Sequence, residues 1–299
     1  MLQCGRGQNR RKSALLRGMR RHSASAAWTS RPAPATIPRA SRVKTIVVPF
    51  DSLFARPCEF GAVFMTNMAA EIGGFTGIVA PDQKTVEFLM ERRGMTRAEA
   101  EKYCEGLFSD PDAQYAHVIE LNADDITPMV ATPGDPGNGK FIRDLNTPVP
   151  VEIAYGGTCT AGKNADMDMY AQVLSDALQQ GKRVADSCKF YIQFGSQETR
   201  EYCVRKGYLD IFKRVGAIVI EPSCGACINA GPGVSTRPDQ VVISAQNRNF
   251  PGRSGPGLMY LASPYTVAAS AVAGYIVEYE PNGKEAAPSG IGMEKQGRK

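Results

Sequence analysis

The sequence predicts an α/β fold built on largely parallel sheets with flanking helices. Two observations carry that expectation. From about residue 61, short apolar runs alternate with segments of helical period, the pattern of strands joined by crossover helices. Three of the strand-like runs also give way to Gly156, Gly195 or Pro222, the punctuation expected where a buried strand passes into a loop.

The elements follow in chain order. Residues 68–73, 85–93 and 97–108 carry helical patterns, and 117–121 reads as a strand. Residues 151–155 read as a strand ending at Gly156 and Gly157. An amphipathic helix over 166–180 follows, with Met169, Val173 and Ala177 on one face and Gly181 as its stop. A second strand over 189–194 closes at Gly195 and Ser196, and helices are expected over 197–206 and 208–214. Residues 217–221 and 241–245 supply two more strands, and 266–276 a helix of small residues. The loop 133–140, PGDPGNGK, marks the expected boundary, dividing the body near residue 145 into domains over 61–145 and 146–285, with a tail over 286–299.

Charge is unevenly placed. The 299 residues carry a formal +5, but residues 1–44 hold 11 of the 35 Lys and Arg and no acid, the first being Asp51. The remainder has 24 basic against 30 acidic residues, so a basic body built for nucleic acid is not expected. The Arg- and Ser-rich leader fits a transit peptide, a disordered basic arm or a misassigned start, and residues 1–60 are expected to be disordered. A cytoplasmic location is the default, a mitochondrial one the alternative if the leader is a transit peptide. The uncharged run 254–277 contains Pro256, Pro264 and several Gly, so it reads as a loop and a buried helix rather than a membrane span.

Parallel sheets bind ligands beyond the carboxyl ends of their strands. The loops after the four strands of the second half begin GGTC, GSQ, PSCGAC and QNRN, and all should emerge on one edge. Of the eight cysteines, Cys104, Cys188 and Cys203 fall in or beside helical patterns and read as buried, inert thiols. Cys224 and Cys227 form Cys-x-x-Cys among small residues, a spacing shared by zinc, redox and iron–sulfur sites. Zinc would want a second pair or histidines, and the two histidines, His22 and His117, are not at ligand spacing. A redox pair would open a helix, whereas INAGPGV is broken by Gly and Pro. With Cys159 as a third thiolate on the same edge, the set favours an iron–sulfur cluster with one iron left open. No G-x-G-x-x-G or Walker pattern is present to cradle phosphate.

YGGTCTAG, SCGACINAGPG, AQNRNFPGR, LASPYTVAASAVAG and the upstream NMAAEIGGFTGIVAPD, in the family's sequence order and spanning about residues 61–280, resemble the aconitase superfamily. Within it, the chain resembles the C-terminal part of the large subunit in the 3-isopropylmalate dehydratase branch, which serves amino-acid biosynthesis such as that of leucine. The resemblance implies an aconitase-like third domain plus part of the second. It implies that Cys159, Cys224 and Cys227 ligate a [4Fe-4S] cluster, with Asn67 and Asn247 beside it. Arg248 and Arg253 match substrate-binding arginines, suited to holding carboxylates bidentately. Glu71 matches a catalytic glutamate near the reacting hydroxyl. The implied activity is reversible dehydration of a small hydroxy di- or tricarboxylate by a hydro-lyase, with the mobile domain on a separate small subunit, and with no nucleic acid or membrane partner.

The chain also departs from that family. No Asp-His dipeptide occurs in it, and the match begins abruptly near Gly61. His117 lies outside the matching motifs and reads as a structural histidine. The alternative expectation is therefore a truncated, catalytically inactive cluster-binding fragment that lacks the family's first domain. A third is a four-thiolate electron carrier that recruits Cys104, Cys188 or Cys203.

Overall fold

The computed structural model describes residues 66–71, 74–110, 112–115 and 127–281, together with the backbone of Thr45–Val48. The chain divides into two compact units, Met1–Asp125 and Ile126–Lys299. The expected strand over 117–121, the structural reading of His117 and most of the basic leader lie outside the described residues.

In the first unit, β1 (Thr45–Val48) pairs in parallel with β2 (Thr76–Val79). β1 thus falls inside the segment expected to be disordered to residue 60. The β-branched run TIVV favours an extended chain, and a composition argument taken over the whole leader hid it. Of the helix expected over 68–73, residues 68–71 form a turn after the helical residues 66 and 67, with the Glu71 N–H bonded to the Met68 carbonyl; residues 72 and 73 lie outside the described residues. α1 (Gln83–Arg93) and α2 (Arg97–Cys104) each begin with a capping box, Asp82 with Thr85 and Thr96 with Glu99. Between them they bury Val86, Ala100 and Cys104. α2 ends sooner than expected because Gly106 takes a left-handed backbone, φ 70°.

The second unit is a seven-stranded sheet. Its hairpin, β3 (Met129–Ala131) and β4 (Gly139–Phe141), is antiparallel. The loop 133–140, read from its composition as a domain boundary, holds the turn of this hairpin, where Asp135 Oδ1 accepts from the Gly137 N–H at 2.6 Å. Pro and Gly mark tight turns as readily as linkers. There follow β5 (Ile153–Gly157), α3 (Thr158–Ala161), α4 (Asn164–Gln179), β6 (Lys189–Gln193), α5 (Gln197–Arg205), α6 (Tyr208–Val215), β7 (Ile218–Ile220), β8 (Val241–Ser244), β9 (Leu258–Ala262) and α7 (Pro264–Ala273). The run 254–277, expected as a loop and a helix, also contains β9. Five apolar residues ahead of Pro264 cannot be assigned to strand or helix by period alone.

The sheet order is β4-β3-β9-β8-β5-β6-β7. β9, β8, β5, β6 and β7 are mutually parallel, and β3 joins β9 antiparallel. β5 is buried at all five residues, as a central parallel strand should be. From β5 the chain moves outward through β6 to β7, then returns to β8 on the other side. The order therefore reverses between β5 and β8, and such a switch point opens a crevice at the carboxyl ends of the strands.

The two sheet faces are packed differently. α4 and α7 pack on each other, and α7 packs on β5. On this face, Gly156 leaves room for the Tyr170 ring of α4, whose hydroxyl accepts from the Gly157 N–H at 3.0 Å and donates to the Ala161 carbonyl at 3.2 Å. On the other face Ile153, Val242, Met259 and Leu261 form a cluster with Ala131 and Tyr191 against it. Among the described residues no helix is long and apolar enough to cross a membrane.

Two predictions follow from this packing. Gly157 has φ 102°, and a Cβ there would run into the Gln193 carbonyl of the neighbouring strand. Gly157→Ala should therefore lower stability by about 3 kcal/mol, read as a lower urea midpoint at unchanged slope, since neither backbone can yield. Asp166, fully buried at the start of α4, accepts from the Lys163 N–H at 2.8 Å through Oδ2, while Oδ1 has no partner. Burial is the main cause that pushes its carboxyl up to about 7 from 3.8, against the opposing pull of Lys163. A raised carboxyl disfavours folding once it ionises: there is no penalty below about 4, and the full penalty above about 7. The melting temperature of Asp166→Asn, which keeps an acceptor for Lys163, should rise relative to the parent from pH 5 to pH 8. A difference constant across that range would contradict the assignment.

Candidate cluster edge

β5, β6, β7 and β8 run parallel, so the loops that follow them share one edge. Cys159 stands two residues after β5, in α3. It is preceded by Gly157 and by Thr158, a β-branched residue at φ 70°. That conformation is strained for such a side chain and persists only where packing imposes it. Thr158 and Thr160 on either side are buried, at 1% and 3%, while Cys159 itself is exposed.

Cys224 and Cys227 lie on the long connection between β7 and β8. Residues Gly225–Ile228 form one turn of 3₁₀ helix, ended by Asn229 at φ 61°. Cys224 is exposed and Cys227 buried. Burial, the largest cause, pushes the Cys227 thiol up; the Arg253 guanidinium opposes this, while Cys159 and Cys224 add to it by their charge. Cys159, on one loop, and Cys224, on the other, thus both lie near enough to Cys227 for their charge to reach it.

The turn rests on buried polar side chains that the sequence reading passed over. Tyr155, on β5, donates to Gln193 Oε1 at 2.7 Å, and its hydroxyl accepts from the Ala226 N–H. Burial, foremost, pushes that phenol up to about 12, so it stays protonated as a donor. Gln193 Nε2, at the end of β6, donates to the Ser223 carbonyl at 2.8 Å and to its hydroxyl at 2.6 Å. Only glycine fits at 225, since a Cβ would stand 2.8 Å from the Tyr155 hydroxyl. From the other side, Ser254 Oγ donates to the Ala226 carbonyl at 2.6 Å, and Arg253 Nη2 donates to Cys227 Sγ at 2.9 Å. One signal was visible: Gln193 is a polar residue closing an otherwise apolar strand.

Asn247 and Arg248 follow β8 across the switch point from Cys159, Asn247 buried and Arg248 half-buried. Arg253 is half-buried, lies over the Phe250 ring, and has a buried Nε without a partner. The structure therefore brings Cys159, Cys224, Cys227, Asn247, Arg248 and Arg253 to the same edge. Asn67 and Glu71 belong to the first unit, in the turn before β2, the former exposed and the latter half-buried.

Cys104, Cys188 and Cys203 are buried, as expected. Burial raises all three thiols, Cys188 and Cys203 to about 12. Cys188 immediately precedes β6, at the end of the sheet opposite the cysteine loops, and Cys203 lies two turns into α5. Neither belongs to the loops that carry Cys159, Cys224 and Cys227. Ser196, at the right edge, caps α5 by accepting from the Thr199 N–H.

Among the described residues, no group of three or more His, Cys, Asp or Glu side chains converges on a single ion position. A cluster asks for a different arrangement, in which each thiolate takes its own iron and the sulfurs stand farther apart. The donor set here, three thiols without histidine or carboxylate, suits soft iron–sulfur ligation.

Comparison with known proteins identifies the family. The aconitase family (aconitate hydratase) matches over residues 61–274. The 3-isopropylmalate dehydratase large subunit of Aquifex aeolicus is 37% identical over 214 residues, covering 71% of this chain and 48% of that protein. That of Heliobacterium modesticaldum is 36% identical over 219 residues, 73% of this chain and 49% of that protein. The probable methanogen homoaconitase large subunit of Methanosarcina mazei is 37% identical over 219 residues, 73% and 52% of the two chains. The chain spans about half the length of these relatives. By the extent of the match and the order of its motifs, the chain belongs to the aconitase family.

Proposed function

We propose that this chain is the cluster-bearing subunit of an iron–sulfur hydro-lyase of the 3-isopropylmalate dehydratase and aconitase type. The observation that supports it best is the gathering of three thiols from two loops at the sheet's switch point, with Asn247, Arg248 and Arg253 on the same edge. The reaction is the reversible loss of water from a hydroxy di- or tricarboxylate, with its return at the neighbouring carbon. Cys159, Cys224 and Cys227 hold a [4Fe-4S] cluster, which supplies an open iron as Lewis acid for the substrate hydroxyl.

The chain's own residues supply the rest. Arg248 and Arg253 hold substrate carboxylates, fixing the carbon that loses its proton; the unpartnered Nε–H of Arg253 is a buried donor that such an anion satisfies. Asn67 and Asn247 donate amide hydrogen bonds beside the cluster. Glu71 orients the departing water through its carboxylate. The relatives are named large subunits, which supports a small subunit as partner, carrying the base and the groups that read the substrate's distinguishing substituent.

Metal content tests the reading first. After anaerobic reconstitution, about four iron and four sulfide per chain are expected, lost on Cys227→Ser. A folded parent chain without either would overturn the cluster assignment. Substrate recognition is tested by calorimetry on the reconstituted chain with a non-reacting tricarboxylate, tricarballylate. Arg248→Gln and Arg253→Gln should each weaken binding roughly 10- to 100-fold, the worth of one charge-assisted pair. Equal affinity in all three proteins would remove both arginines from the site.

A further inference from the structure

Gln246 lies within AQNRNFPGR and Ser254 directly follows it, but neither was given a role in the sequence reading, and both are buried beside the Cys-x-x-Cys turn, at 2% and 4% exposure. The peptide groups of Ala226, the residue between the two cysteines, are held from both sides. Its N–H goes to the Tyr155 hydroxyl, and its carbonyl accepts from Ser254 Oγ at 2.6 Å. Ser254 is itself fixed, because its carbonyl accepts from both the N–H and the hydroxyl of Ser235, each at 3.0 Å. Gly255 next to it can only be glycine, since a Cβ would run into Ser235.

Proton counting brings in Gln246. A serine hydroxyl has one proton, and that of Ser254 is committed to Ala226. Ser254 Oγ lies 3.4 Å from Gln246 Oε1, while Gln246 Nε2 is buried without a partner. Two acceptors then face each other while a buried donor goes unpaired, which is the unfavourable choice. Turning the amide over puts Nε2 toward the hydroxyl and makes one directed chain, Gln246 Nε2–H to Ser254 Oγ–H to the Ala226 carbonyl. Gln246 is anchored for this, since it follows β8 and its own N–H bonds Ser244 Oγ at 3.1 Å.

We propose that Gln246 and Ser254 are positioning residues that lock the Cys224–Cys227 turn onto the central sheet and so hold both thiols in place for their ligand. The ligand rests on the cluster reading above; the locking of the turn does not. Arg253, the neighbour of Ser254, contacts Cys227 Sγ from the same segment. One stretch of chain therefore sets both the carbonyl and the thiol of the turn.

Ser254→Ala, Gln246→Leu, the double variant and Ser254→Thr are to be compared with the parent by two readouts. The first is iodoacetamide alkylation of each cysteine in the native iron-free chain, resolved by mass spectrometry. Cys227 should react about tenfold faster in both single variants, as one lost hydrogen bond allows. Cys188 and Cys203 should keep their parental rates, the double variant should be no faster than either single one, and threonine should restore protection. Unchanged Cys227 rates, or a rise shared by Cys188 and Cys203, would overturn the proposal. The second readout is decay of the cluster's visible absorption in EDTA after reconstitution, expected about tenfold faster in the single variants. If the parent assembles no cluster while the alkylation pattern holds, the cluster reading fails and the lock stands. If the cluster assembles and both readouts are unmoved, the lock fails alone.

Discussion

The reversal of strand order beside β5 is the constraint on which the cysteine edge depends. β5 is hydrogen-bonded on both sides, to β6 and to β8, so its carboxyl end cannot shift without breaking two ladders. The chain that leaves β7 has to come back past β6 and β5 to reach β8. In that return it lays Gly233 against the Tyr155 ring, too close for any side chain, and it sets the Cys224–Cys227 turn beside the loop that carries Cys159. Had β7 been followed by a further strand on its own side, no such crossing would exist.

The return connection contains no strand or long helix over residues 221–240, and this explains the buried polar residues beneath it. Irregular backbone still carries an N–H and a carbonyl per residue, and each needs a partner when covered. Gln193, Tyr155 and Ser254 supply them, taking the Ser223 carbonyl, the Ala226 N–H and the Ala226 carbonyl. An apolar residue at 193 would leave the Ser223 carbonyl without this donor and the Tyr155 hydroxyl without this acceptor. Such a network specifies one position for the turn because each member is useful only in one geometry.

The sheet's inner strands, the helices between them and the cysteine edge were legible because each leaves a local trace. β5, β6 and β8 are apolar runs with a turn residue after them, α4 has a clean stripe, and the edge follows from parallel order. β9 and the β3–β4 hairpin were not, since LMYLA ends in a helix start and MVA and GKF are too short to show alternation. β1 was hidden for a different reason, a window of composition wider than the element. At the site, the shared edge of the cysteines was readable from the strand ends that precede them, but the contacts of Gln246 and Ser254 were not. Their meaning depends on Ala226, 20 positions before Gln246 and 28 before Ser254, and no periodicity connects them.

Two kinds of cysteine on this chain show what the fold does to a thiol. Cys188 and Cys203 sit inside packed surroundings, and burial, joined at Cys203 by the Asp168 charge, holds them protonated and inert. Cys159 is exposed, yet its backbone is not free to move. Thr158 and Thr160 are buried on either side, the Thr160 N–H bonds Thr158 Oγ, and Gly162 meets Gly195 backbone to backbone. A strained Thr158 in the left-handed region is tolerable only because those contacts leave it no alternative. The combination of an accessible sulfur and an immobilised main chain is what a ligand needs, since ordering has been completed by folding and need not oppose binding. The same logic applies to Cys224, exposed at the start of a turn pinned from both faces of its central peptide. Folding energy drawn from the helix-covered side of the sheet is thereby converted into the fixed placement of thiols at its edge.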